Sequence, residues 1–544
     1  MRVTFLGLGF EQLAISQLSA VAKNAGHDVR LAFSASLFND RYNLSVPRLA
    51  PFFDDRKDLI HAIQAQQPEV LACSVITGTY QWMLGIAKEA KAMFPHLKVI
   101  FGGVHTSAVP QRVLAQPQVD YVIVGEGDLC FPMIVEAIGR CDFSTPIPNT
   151  RFKSPLGEVI EGPPTGFIQD LDSLPFFDKV IWEDVIDIGD LYMTMASRGC
   201  PYRCTFCFNN FFANLAKGSK GRYVRQRSVD HMMFELRQAK RRYRLKMVDF
   251  QDDVFTVDKK WMKKFFYEYK RDIGVPFQCL THPRYMDEEV ACWLHEAGCI
   301  AVQMGIQTMD DEYKFQTIKR YEKAVHVHQA FESMQKYGLK VRCDHMFGLP
   351  GEPLQAQELA LQLFKRYPPY RIHTYWTNFL PGTEMVHQAL KMGLITPEEV
   401  ERLNEGLDFD FFRTTYVLQD PQKTKYFKNF EVVFKLIPLL PRSWRQKIHP
   451  RILQFLPTSL CNLIIFLTDM LFGLLTFNAA HINYARHYLY HLKRFFLKKL
   501  TLPVSPATRL KKREPFVYHL PISQKPERPQ EDQEAREAVS VGNA

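Results

Sequence analysis

Short apolar runs separated by longer amphipathic stretches set the rhythm of the first 140 residues. VTFLGL, VRLAF, EVLACSVI, KVIFGG and VDYVIVGEGD are dense in Val, Ile, Leu and Phe and read as buried strands. Between them, QLAISQLSAVAKNAGH, DRKDLIHAIQAQQP and TYQWMLGIAKEAKAMFP place apolar residues at helical spacing, with Gly26 as a stop signal. Regular alternation of this kind predicts an α/β fold, a doubly wound, Rossmann-like parallel sheet over residues 1–140. Residues 141–190 (STPIPN, SPLGEV, EGPPTG, DSLPFFD) are Pro-rich and irregular and read as a linker. Alternation resumes at LYMTMASRGC and runs through KMVDFQDD, PFQCLTHP, IAVQMGIQ, KVRCDHMFGLPG and HTYWTNFLPGT. Helical segments such as VDHMMFELRQAKRRY and DEEVACWLHEAG separate them, so six βα units over 191–390 predict a TIM-type barrel or partial barrel. Beyond 390 the strand signal fades into a mostly helical region, 391–520, and the polar, Pro/Glu/Gln-rich tail 521–544 is predicted to be disordered.

The chain's 544 residues leave room for three or four domains, and with 46% apolar and 23% charged residues a disordered, collagen-like or multi-span membrane protein is excluded. The formal charge of +10 is unevenly spread: residues 423–513 carry 17 Lys/Arg against Glu431 and Asp469, which leaves the remainder at −5. Within that basic stretch, SLCNLIIFLTDMLFGLLTF (459–477) is strongly apolar. It is marginal as a membrane span, and a core helix is the plainer reading. An interfacial helix with aromatic and basic anchors fits the region best, which predicts peripheral contact with the inner face of a membrane. No nucleic-acid partner is expected, since long apolar runs rather than isolated stacking aromatics separate the basic residues. Eleven Cys are too sparse for a disulfide scaffold, and MRVTFLGLGFEQ enters a strand without a leader, so a reducing cytoplasm is expected.

SRGCPYRCTFCFN places Cys200, Cys204 and Cys207 in C-x3-C-x2-C spacing after a predicted barrel strand. Three thiolates on one loop suit three irons of a four-iron cluster, with the fourth iron left open for chemistry. A structural zinc site would want a fourth ligand, usually from a second pair, and no such pair follows.

This loop, with QRSVDHMMFEL, VDFQDDVFTVD, AGCIAVQMGIQT, FGLPGE and FLPGTE after it, resembles the radical S-adenosylmethionine (SAM) enzymes. The resemblance implies a [4Fe-4S] cluster on the three cysteines and SAM on its open iron. Asp252, Asp253 and Gln307 stand where that family contacts SAM. Gly348, Pro350 and Gly351 are expected to shape a turn at the barrel mouth. In the first 140 residues Ser74 and Ile76, Gly102 and Gly103, and Gly125 and Glu126 resemble the cobalamin-binding domain joined to many of these enzymes. Small residues at such strand ends leave room for a large ligand. GLGFEQLAIS lacks the D-x-H-x-x-G motif that supplies a cobalt ligand, and His105 is a possible substitute.

The combined resemblance implies a cobalamin-dependent radical SAM enzyme. Its expected reaction is methylation of an unactivated carbon through a 5′-deoxyadenosyl radical and methylcobalamin, fed by a reductant such as ferredoxin or flavodoxin. The basic, apolar C-terminal region favours a hydrophobic or lipid substrate. Cyclisation, oxidation or rearrangement by the same layout is the alternative within the family. A non-enzymatic cobalamin- or redox-responsive binding protein is the alternative outside it.

Overall fold

The computed structural model describes residues 1–40, 44–217, 221–407, 420–475 and 479–500, and beyond them 506–508, 510–511 and 516–519. The predicted tail 521–544 lies outside the described residues.

The first sheet has seven strands in the order Asp28–Ser34, Arg2–Leu8, Val70–Ser74, Lys98–Gly102, Tyr121–Ile123, Thr150–Lys153, Val159–Glu161. The first five are mutually parallel, as the uninterrupted apolar runs require of strands covered on both faces. The order reverses between Arg2–Leu8 and Val70–Ser74, which opens a crevice at their carboxyl ends. The last two strands are antiparallel and lie inside the stretch expected to be linker. They are short and joined by SPLG, so turn residues mask their alternation. The rest of that stretch wedges against the sheet. Trp182, fully buried, donates to Ser16 Oγ at 2.9 Å, and Lys179 forms a buried pair with Glu11.

The second sheet is the expected partial barrel. Six parallel strands follow in sequence order: Tyr192–Thr194, Val248–Phe250, Phe277–Thr281, Cys299–Gln307, Lys340–Phe347 and Arg371–Trp376. Intervening helices start at side-chain caps, among them Ser228 accepting from His231 N–H (3.1 Å) and Asp287 accepting from Val290 N–H (3.0 Å). One apolar core runs unbroken from Val3 and Phe5 through Trp182 and Tyr192 to Val302 and Phe347, so the two sheets share their interior.

The C-terminal region is helical among the described residues. Pro421–Leu436 buttresses the last barrel strand: Phe434 stacks on Phe347 at 5.7 Å, and Glu431 accepts from Thr374 Oγ1 (3.0 Å) and Trp376 Nε1 (3.1 Å). Thr458–Leu475 packs on that helix, with Asp469 bonded to Lys435 (3.0 Å) and 3.3 Å from Arg371. Ala479–Lys499 returns to the first sheet, where His487 bonds to the Gly9 carbonyl (2.8 Å). Among the described residues no helix is long and apolar enough to cross a membrane.

Candidate functional site

The crevice at the carboxyl ends of the first sheet is a cavity of about 490 Å³. Ser74, Gly102, Gly103 and Gly125 line one side of it. Met195, Arg198, Gly199, Phe208, Asn209, Tyr223 and Asp253, from the second sheet and its loops, line the other. Gly103 has φ +105°, and a Cβ there would lie 2.6 Å from the Val75 carbonyl oxygen, so no other residue fits without moving the strand end. A Cβ on Gly102 would meet nothing nearer than Ile123 at 3.5 Å. That glycine therefore keeps the cavity open, whereas Gly103 keeps the backbone close. A cradle of small residues beneath an apolar cleft of this volume suits a large flat cofactor.

The three cysteines follow on the facing loop, between Ser197–Arg198 and the helix Phe208–Leu215. Cys207 caps that helix, its Sγ accepting from Asn209 N–H at 3.4 Å. Cys204 is buried, with the Arg320 guanidinium 4.0 Å from its sulfur. Burial pushes the Cys200 and Cys207 thiols up to about 12. It also raises Cys204, against the pull of Arg320. All three must lose protons to bind metal, and the groups bonded to Cys204 and Cys207 are donors that favour the thiolate. Among the described residues no three His, Cys, Asp or Glu are gathered tightly enough for a single metal ion.

Arg320 is itself held from behind. Glu322 bonds its Nε at 2.7 Å and also stands 3.5 Å from Lys314 and 3.2 Å from His282, on whose ring Tyr202 of the cysteine loop stacks at 3.8 Å. Burial opposes the Glu322 charge, but Arg320 and the neighbouring cations prevail and hold its pKa down to about 2.

The paired aspartates have separate roles. Asp252 is fully buried, both oxygens accepting from Ala196 N–H (3.1 and 3.0 Å) and one also from Ser197 Oγ. It fastens the segment that follows the first barrel strand and is not part of the cavity lining. Burial lifts its pKa to about 6. Asp253 does line the cavity and accepts from Asn209 Nδ2 at 2.8 Å.

Three further residues lie off the cavity lining. Ile76 is not on the cavity wall: its strand ends at Ser74, and Ile76 caps the next turn through Thr79 (3.0 Å). Gln307 takes φ +66° at the end of its strand with its amide folded over Gly305, away from the cavity lining. His105 is buried against Tyr80 and bonded to Thr77 Oγ1 at 3.2 Å, so it does not face the cavity.

Glu126 lies at the cavity, but its carboxylate is already committed. Arg225 Nη1 donates to both oxygens at 2.9 Å, Arg198 Nη1 stands at 3.3 Å, and Ile168 N–H donates at 3.1 Å. Arg198 also makes a two-point contact with Asp128 (2.8 and 3.0 Å). Arg198 and Arg225 are register partners on the antiparallel pair beside the cysteine loop.

Residues 5–135 match the B12 binding domain and residues 195–363 match the Radical SAM superfamily. The chain belongs to the cobalamin-dependent radical SAM enzymes. An uncharacterised methyltransferase of Pyrococcus horikoshii is 24% identical over 70% of this chain and 82% of its own. The cytidylyl-2-hydroxyethylphosphonate methyltransferase of Streptomyces wedmorensis is 22% identical over 72% and 79%. The structure of the cobalamin-dependent SAM radical enzyme OxsB, with aqua-cobalamin and SAM bound, covers 92% of this chain and 80% of that one, with a TM-score of 0.60 at 13% identity.

In this cobalamin-dependent radical SAM enzyme the glycine cradle and the cysteine loop were visible as local motifs. Arg198, Arg225, Asp128 and Arg320 were not. Arg198 stands two residues before Cys200, which is the only signal the chain offers for it.

Proposed function

We propose that this enzyme methylates an unactivated carbon of a hydrophobic, lipid-like substrate. The observation that carries the reading is a cavity with the glycine cradle on one wall and Gly199 and Phe208, which flank the cysteine loop, on the other, so the two cofactor sites would adjoin one apolar space. When bound, the cluster supplies the electron that cleaves SAM, and cobalamin supplies a transferable methyl group.

The chain's own residues position and shelter these groups. Cys200, Cys204 and Cys207 would hold three irons of the cluster and leave the fourth open. Arg320 sets a fixed positive charge beside Cys204. Asp253, oriented by Asn209, faces the cavity where the amino group of SAM would lie. Ser74, Gly102, Gly103 and Gly125 would make room for the cobalamin. Phe208, Phe212, Phe167 and Phe177 wall the cavity and keep water from a reactive intermediate. The substrate is a small molecule, and an external reductant completes the cycle.

The test is anaerobic reconstitution with cobalamin, followed by iron and cobalt analysis and product analysis after adding SAM and reductant. Iron, cobalt, 5′-deoxyadenosine and S-adenosylhomocysteine together support methylation. 5′-Deoxyadenosine without S-adenosylhomocysteine favours a ring-forming or oxidising reaction instead. Absence of SAM cleavage by the fully loaded protein overturns the reading.

A further inference from the structure

The helix Thr458–Leu475 is predominantly apolar, yet among its described side chains only one side is covered. Cys461, Thr468 and Phe472 are buried, and Asp469 is tied to Lys435 (3.0 Å). On the other side Leu460, Leu463, Phe466 and Leu467 recur at intervals of three and four residues and stand exposed, Leu463 by half of its surface. The turn that feeds the helix adds Ile452 and Phe455, the latter 86% exposed, and the short helix before it adds Trp444 at 69%. An apolar helix face of this size on a folded protein marks an interaction site.

Charge narrows the choice of occupant. Arg442, Lys447 and Arg451 flank the apolar residues, are exposed, and form no ion pair among the described residues. From residue 423 to 513 the two acids are Glu431 and Asp469. Glu431 is buried and bonded to Lys428 (2.8 Å), and Asp469 is held by Lys435 and Arg371, so neither presents a free negative charge beside the patch. One acid from outside this stretch, Glu358, reaches the edge and is paired with His449 at 3.1 Å. The other charged residues that edge the aromatic and aliphatic stripe are the three exposed cations, which complement a negatively charged surface with an apolar interior.

We propose that this face docks on an anionic lipid bilayer. The helix lies along the surface rather than across it, because Asp469 and the buried side remain fastened to the Pro421–Leu436 helix. Phe455, Leu463 and Phe466 enter the acyl boundary, Trp444 sits at headgroup depth, and the three cations meet the lipid phosphates. The inference rests on the proposed hydrophobic substrate for its purpose but not for its evidence. It would place the catalytic domains beside the phase in which such a substrate dissolves.

The test uses the full-length, reconstituted protein in sedimentation with vesicles of phosphatidylcholine alone or mixed with phosphatidylglycerol. Binding to the mixed vesicles and little to the neutral ones is expected. Each basic residue near an anionic surface strengthens binding about fivefold, so Arg442→Gln, Lys447→Gln and Arg451→Gln combined should weaken it roughly a hundredfold. Burial of each Phe or Leu contributes roughly tenfold or more, so Phe455→Ser, Leu463→Ser and Phe466→Ser combined should abolish binding to either vesicle. These side chains are exposed, and unchanged iron content and circular dichroism would verify that the variants fold. Absence of binding by the parent, or equal binding by both variants, overturns the proposal. A dimer in solution that the serine variant splits also overturns it, by showing that a second copy covers the face. Products of SAM cleavage read in the same samples separate the two claims. Vesicle binding without SAM cleavage would refute the proposed function alone, and SAM cleavage without vesicle binding would refute the docking face alone.

Discussion

Glu126→Gln tests whether the ion pairs at the cavity fasten the cobalamin cradle to the cluster loop. Glu126 directly follows Gly125 of the cradle, and its main partner, Arg225, lies 99 residues away in the strand pair that flanks the cysteines. The Arg225 side chain is only 4% exposed, so its charge cannot be handed to water when the carboxylate is removed. Breaking such a pair outright costs about 3–5 kcal/mol. An amide retains one acceptor, which brings the expected loss for Glu126→Gln to about 2–3 kcal/mol. Hydrogen exchange reads this directly. The Ile168 N–H, which donates to Glu126 at 3.1 Å, and the amides of 197–198 and 225–226 should exchange faster, by roughly thirty- to two-hundredfold. Cobalamin content should persist, because the cradle is made by glycines. The double-mutant cycle with Arg225→Met decides the matter. A real contact gives a coupling of at least about 1 kcal/mol, whereas additive effects would refute the fastening role. Loss of cobalamin with unchanged exchange would instead make Glu126 a direct cofactor contact.

Three further outcomes are expected. Gly102→Leu should fill the cavity and abolish cobalt binding while sparing iron. Gly103→Ala should also lower the denaturation midpoint, since φ +105° and a contact of 2.6 Å to backbone add strain of about 2 kcal/mol or more; equal midpoints for the two variants would contradict the distinction drawn between these glycines. Cys204→Ala should remove the cluster's visible absorbance and SAM cleavage together, and retention of either would remove Cys204 from the ligand set. His231, His345 and His491 are held neutral, their pKa values pushed down by burial to about 2, 4 and 3. The unfolded chain takes up these protons below about pH 6.5, so stability falls as pH drops through that value, by about 4 kcal/mol for the three at pH 5.5. Denaturant titrations at about pH 8 and about pH 5.5 check this, and an unchanged midpoint would mean that the rings are hydrated.

The parts of the fold that a short window can encode were legible in the chain. Continuous apolar runs between amphipathic helices specify parallel strands, because a strand covered on both faces must be apolar at every position. Cys200, Cys204 and Cys207 sit within eight residues, so the loop declares its own donor set. The strands Thr150–Lys153 and Val159–Glu161 escaped because they are short and joined by turn-forming residues, and they are strands only by pairing with an existing edge. Asp252 and Asp253 are chemically alike and adjacent, and in the loop that follows the strand Val248–Phe250 one bonds the buried Ala196–Ser197 backbone while the other faces the cavity. Glu126 read as a cofactor residue from its position, but which arginines claim it depends on two sheets meeting. The 459–477 stretch announced its hydrophobicity and nothing about which side is covered. Local sequence determines periodicity and donor type because both are properties of consecutive residues. Pairing, burial and the direction a given carboxylate faces arise from segments far apart in the chain, 44 residues for Asp253 and Asn209 and 99 for Glu126 and Arg225, and only the packed tertiary structure decides them.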